Sequence, residues 1–272
     1  ASVLSLTGVL AKNLSEPLGY SGFGLHLFLS TLLSGFLFTV VVYVLYKGYK
    51  VKADNPLKLS EIPKFNRDQW LTIIAIIVMV ICCIGFKLDT GLFAFAAAAV
   101  LILLGAVDEK KAIKGIPWGT LVFICGVGVL INVIDTLGGI TLISDFLTKF
   151  MSEHTAAPIL AATSGILSWV SSTTGVVMPT LFPIAADVCK TFSGANYVEL
   201  ISAITATSFA AAISPLSTGG AIIMSSYSAA RETSTEELNK MFKTLFLLSV
   251  GNVLLNVLLS ALGVFKLGGL FY

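Results

Sequence analysis

Two clusters of small and polar residues interrupt apolar stretches that would otherwise be long enough to cross a bilayer. One is Ser171-Ser172-Thr173-Thr174-Gly175, and the other is Ser214-Pro215-Leu216-Ser217-Thr218-Gly219-Gly220. Lipid offers no partner to a free N–H or C=O. Broken backbone at membrane depth therefore survives only inside protein or beside a polar cavity. Interrupted helices of this kind point to the binding site of a transport protein. The segment 156–190 is too interrupted for one clean span, and its two halves are each too short to cross about 30 Å. It reads as a re-entrant hairpin with its tip at 171–175. The segment 196–229 reads as a helix broken at 214–220, where Pro215 removes a donor and two glycines relax the backbone.

Composition fixes the broad class. The chain is 56% hydrophobic and 12% charged, against about 25% charged in a soluble domain. Apolar stretches of about 20 residues recur along it, so it reads as an all-α, polytopic, multi-pass membrane protein embedded in the lipid bilayer. A net charge of +2 is too small to suggest nucleic acid. Cys82, Cys83, Cys125 and Cys189 form no metal or redox spacing and read as small buried hydrophobes.

The N-terminal stretch SVLSLTG, residues 2–8, coincides with SPLSTGG, residues 214–220, at Ser2/Ser214, Leu4/Leu216, Ser5/Ser217 and Gly8/Gly220. Each is followed by a polar region and a long apolar helix, at 23–46 and 242–265. This is the mark of an internal repeat. The chain is expected to begin partway through a first repeat, 1–46, in which a broken-helix remnant covers 3–18. A cytoplasmic linker, 47–68, then leads to a second repeat, 69–272. Helices are expected at 69–86, 91–107 and 118–135, with a short interfacial helix at 108–114. A break at Gly138-Gly139 and an amphipathic piece to 151 follow.

Basic residues orient the chain. The loops 47–68, 108–117 and 230–243 hold twelve of the seventeen Lys and Arg, which places them in the cytoplasm. This assignment requires 156–190 to be re-entrant and its tip to enter from outside. Trp70 and Trp118 fit the interfacial belts, whereas Trp169 is either packing or a wall of the site. Asp135 and Asp187 are expected near helix ends, solvated. His26 reads as bland, at the outer start of a helix, and His154 as part of a solvated loop.

A carboxylate inside a membrane needs donors but tolerates few fixed charges. Half-helix N-termini supply oriented N–H groups and a positive dipole end. The expected anion contacts are Ser171, Ser172, Thr173 and Thr174 at the hairpin tip, and Ser217, Thr218 and Gly219 at the second break. Oxygens of unwound backbone and of hydroxyls suit Na⁺. The expected cation ligands are Thr173, Gly175, Ser214, Thr218 and Gly220, with Ser5 and Thr7 from the first repeat. Lone hydroxyls such as Ser164 and Ser168 read as helix glue. No other cofactor is expected.

The order of motifs from Gly126 onward resembles the second repeat of the divalent-anion:sodium symporters and related dicarboxylate-carrier permeases of the ion transporter superfamily. The helix with Gly126 and Gly128, ending in Asp135-Thr136-Leu137-Gly138, resembles that family's glycine-bearing helix and its end. The tip Ser171–Thr174 through Pro183-Ile184 resembles its serine–asparagine–threonine hairpin, with Ser172 in the place of Asn. Ala206-Thr207-Ser208-Phe209 through Gly220 resembles its next helix and unwound loop, with Gly219-Gly220 where a second proline is usual. The resemblance implies a secondary permease for small organic anions of the C4-dicarboxylate type, coupled to Na⁺. It further implies elevator-type movement of hairpin and broken helix, a scaffold of the other long helices, a possible homodimer and a bacterial inner membrane. A cation/proton antiporter of the same superfamily is the alternative, and it wants carboxylates deep in the spans. An intramembrane enzyme lacks a nucleophile–base or metal set here, and a structural subunit is the third class.

Overall fold

The computed structural model describes residues 5–50, 64–85, 90–116, 118, 122, 125, 126, 129, 130, 133, 134, 136–230 and 233–266. The expectations for Ser2, Asp135, most of the 118–135 helix and the linker 51–63 lie outside these. Every regular element among the described residues is helical. The protein is therefore an all-α membrane protein.

Two compact units emerge, one of residues 1–45 with 122–272 and the other of 46–121. In the smaller unit, helices α3 (Arg67–Gly85) and α4 (Thr90–Leu103) pack together. They are followed by α5 (Glu109–Gly115), which Asp108 caps by accepting from the Lys111 N–H at 2.9 Å.

The larger unit opens with α1 (Leu6–Ser15) and the membrane-length α2 (Gly24–Leu45). Gly138, at φ 77°, supplies the left-handed residue before α6 (Gly139–Thr148). Next come α7 (Ala156–Val170), a π-turn over Thr173–Val177 and α8 (Met178–Thr191). After these, α9 (Tyr197–Ala211) and α10 (Thr218–Ala230) flank the second break. The last helix, α11 (Thr235–Ala261), is one continuous rod of 27 residues. The sequence predicts instead a polar region followed by a span over 242–265. A capping box between Ser234 and Glu237 starts it earlier, and it ends four residues short of 265.

Helix lengths carry a functional consequence. At about 1.5 Å per residue, α2 reaches about 33 Å and can span. Only α2 and α11 are long and apolar enough to do so among the described residues. The 15 residues of α9 reach only about 22 Å, so its carbonyl end stops short of a full crossing.

Contacts along α7 and α9 advance together. Ala161 shares a cluster with Ala203 and Ala206. A Cβ on Gly165 would come within 3.1 Å of Thr207, and the Ser168 hydroxyl donates to the Ser208 carbonyl at 2.7 Å. The two helices therefore run in the same direction, and the chain doubles back through α8 between them. The main core lies here, with Leu160, Met178, Leu181, Phe182, Ile184, Leu200, Ile201 and Ile204 almost wholly buried. Both α2 and α11 pack directly on α9. The opposite side of α2 leaves Leu25, Leu32 and Phe36 exposed, a surface suited to lipid.

Candidate functional site at the two helix breaks

One four-residue pattern starts three helices in the larger unit. The sequence reads Ser5-Leu6-Thr7-Gly8, Ser172-Thr173-Thr174-Gly175 and Ser217-Thr218-Gly219-Gly220. In each, the serine hydroxyl accepts from the glycine N–H three residues on, at 3.2, 3.1 and 3.3 Å. A serine at the N-cap satisfies one of the orphan donors of a helix start. Ser5 and Ser217, and Gly8 and Gly220, thus play the same local capping parts.

The hairpin tip departs from a simple α-helical start. The chain is extended at Ser171 and Ser172. It then enters a π-turn, in which the N–H of Met178 reaches the carbonyl of Thr173. Such turns are rare and gather at functional positions. Thr173 and Gly175 are buried, whereas Ser171, Ser172 and Thr174 are half-buried. The hydroxyl of Ser171 turns back to the carbonyl of Leu167 in its own helix. Among the expected anion contacts at the tip it is the one occupied by a local bond of this kind.

At the second break, Ser214 and Ser217 are buried. The Ser214 hydroxyl donates to the carbonyl of Trp169 at 3.1 Å, which ties this break to the end of α7 beside the tip. Ser217 donates to the carbonyls of Ala212 and Ser214 at 2.6 and 2.8 Å. Gly220 is required sterically, since a Cβ there would lie 2.0 Å from the Ser214 carbonyl oxygen. The side chain of Thr218 lies outside the described ones. Trp169 lies tilted at 49° against Phe246, with ring centroids 6.0 Å apart, and its buried indole N–H has no partner among the described residues.

Where α9 ends, its last carbonyls lose their helical partners, and other elements occupy them. Ser168 donates to the Ser208 carbonyl at 2.7 Å, and Thr173, 3.1 Å from that carbonyl and 2.9 Å from the Ser168 oxygen, has one proton to give to either. Ser249 of α11 donates to the Ala211 carbonyl at 2.9 Å, and Asn252 to that of Ala210 at 3.4 Å. The tip and the broken helix therefore meet in a cluster of three oxygens, from Ser168, Thr173 and Ser208. Ser5 and Thr7 stand instead at the start of α1, where Thr7 is buried and the helix packs against α8.

Sequence reasoning missed Ser168 as a site residue, along with Ser249, Asn252 and Asn256. A signal was present, because Ser249, Asn252, Asn256 and Ser260 recur every three or four residues along an otherwise apolar span. It also missed Glu199, buried at the start of α9 with Lys266 3.9 Å away. Asp187 is paired with Lys190 at 2.7 Å near the end of α8. His26 is buried and bonds the Phe265 carbonyl at 2.8 Å. Cys125 is exposed rather than buried. No hydrogen bond from either break runs to a charged side chain among the described residues.

The family model described as a citrate transporter (CitMHS) matches residues 4–212. No curated protein and no solved structure matches the chain.

Proposed function

Since the chain belongs to the citrate transporter family of the ion transporter superfamily, we propose that its two Ser-capped breaks together form the seat of a citrate-like anion. The protein is an integral membrane secondary transporter for such anions and not an enzyme. The observation that carries the assignment of the seat is the repeated Ser-x-x-Gly cap. It places oriented N–H groups and positive helix ends where the chain is broken, with no fixed charge needed. The bond from Ser214 to the Trp169 carbonyl supports joining the two breaks in one site. Shorter C4 dicarboxylates are expected to compete for the same donors.

For the coupling ion we assign Na⁺, with the oxygens of Ser168, Thr173 and Ser208, which lie 2.7–3.1 Å apart, as its ligands. The deciding experiment is uptake of citrate into liposomes holding the full-length protein. Thr173→Val removes a hydroxyl at nearly constant volume and should raise the Na⁺ concentration for half-maximal uptake about threefold or more. Uptake indifferent to Na⁺ and driven by a pH gradient would transfer the coupling to protons. No citrate uptake at all would remove the substrate assignment.

The parallel course of α7 and α9 supports the re-entrant reading. Single cysteines at Glu153 and Glu236, both exposed, should label from opposite sides of the membrane, with 236 on the cytoplasmic side. Labelling of both from one side would rule the re-entrant hairpin out.

A further inference from the structure

A donor chain runs from α2 through α11 to the carbonyl end of the broken helix. The Ser34 hydroxyl donates to Asn256 Oδ1 at 2.6 Å. Asn256 Nδ2 then donates to Asn252, at 2.9 Å to its carbonyl and 3.1 Å to Oδ1. Asn252 Nδ2 donates to the Ala210 carbonyl at 3.4 Å. All three side chains are buried: Ser34 is 4% exposed, Asn252 7% and Asn256 0%.

Every link has one polarity. A carboxamide presents an acceptor at one end and donors at the other. The Ser34 proton fixes which end of Asn256 faces α2, and so which end faces Asn252. This in turn turns the Asn252 amine toward Ala210. A buried polar group left unmatched is costly. Two carbonyls away, Ser208 supplies the backbone oxygen of the cluster on the hairpin tip.

We propose that Ser34, Asn256 and Asn252 are positioning residues, a relay by which α2 and α11 hold the end of α9 in the geometry that receives the transported ions. The relay rests on the functional reading above. Asn252 orients a backbone group and does not touch the cargo, and Ser34 acts at two removes through both asparagines.

The test is citrate uptake by the full-length protein in liposomes, read as KM and maximal rate, with melting temperature measured alongside. Ser34→Ala should raise KM about threefold, the scale of one interhelical bond within a membrane, and Ser34→Thr, which keeps the hydroxyl, should restore it. Asn252→Ala should raise KM about tenfold. The double variant Ser34→Ala/Asn252→Ala should match Asn252→Ala alone, because the upstream hydroxyl has no relay left to orient. Two residues that merely stabilise the fold would lower the melting temperature at unchanged KM, or their effects on KM would multiply, and either result overturns the relay. Should Asn252→Ala fail to fold, the pair Ser34→Ala and Ser34→Thr decides alone, and equal KM values overturn it. Wild-type liposomes that take up no citrate overturn the functional reading and the relay together. Wild-type uptake with unshifted variants overturns the relay only.

Discussion

Gly220→Ala should abolish most transport. Its Cβ would fall 2.0 Å from the Ser214 oxygen, 2.4 Å from the Ser214 carbonyl carbon and 2.7 Å from the Ile213 oxygen. All three are backbone atoms of the break itself, so no side chain can turn aside and the loop has to move. Overpacking costs about 1–3 kcal/mol even where neighbours can shift. Here the displaced atoms are those that position the Ser217 cap, and uptake should fall by at least about tenfold with a lowered melting temperature. Gly165→Ala is the informative control. Its closest neighbours are the methyl groups of Val253, at 2.6 and 3.0 Å, with Thr207 at 3.1 Å. These are side-chain ends that can yield, so transport should fall less than in Gly220→Ala. Wild-type uptake by Gly220→Ala would mean that the tight turn at 214–220 has no part in the site.

Ser168→Ala carries the second large effect. This serine is fully buried and donates to the Ser208 carbonyl at 2.7 Å while sharing a bond with Thr173 at 2.9 Å. Removing the hydroxyl leaves Thr173 as the remaining side-chain donor to that carbonyl. Loss of a partner to a buried polar group costs about 1–3 kcal/mol, equivalent to roughly five- to 150-fold. Half-saturation of uptake by both citrate and Na⁺ should shift in that range. Ser171→Ala, three residues on, removes a hydroxyl spent on its own helix and should change either value by less than about twofold. Equal effects of the two substitutions would show that the tip binds through its exposed edge rather than through the buried oxygen cluster.

Both breaks were legible because clusters of small and polar residues interrupt apolar runs of membrane length. Pro215 lies within the interruption at 212–217 between α9 and α10, whereas Thr218, Gly219 and Gly220, expected in the break over 214–220, form the first turn of α10. The start and end of α2 were also legible, within a residue or so, since an uninterrupted apolar run leaves little choice. What stayed hidden was partnership. Asn252 and Asn256 vanish in the average hydropathy of α11, and their meaning depends on Ser34, more than two hundred positions earlier in the chain. Ser168 looked like any hydroxyl that bonds its own helix, as Ser164 does with the Ala161 carbonyl. Only the parallel course of α7 and α9 brings it to Ser208 instead. The start of α11 was misplaced because its capping box lies in a polar stretch that hydropathy assigns to a loop.

The breaks hold hydroxyls, glycines, a proline and backbone, with no ionised side chain between 171 and 175 or between 212 and 220. A transmembrane voltage acts on charge, at about 2.3 kcal/mol per elementary charge per 100 mV. It finds none belonging to the protein at these positions. On the proposed reading, the side chains of this region add no voltage dependence of their own, which is left to the partial charges of the helix ends and to the cargo.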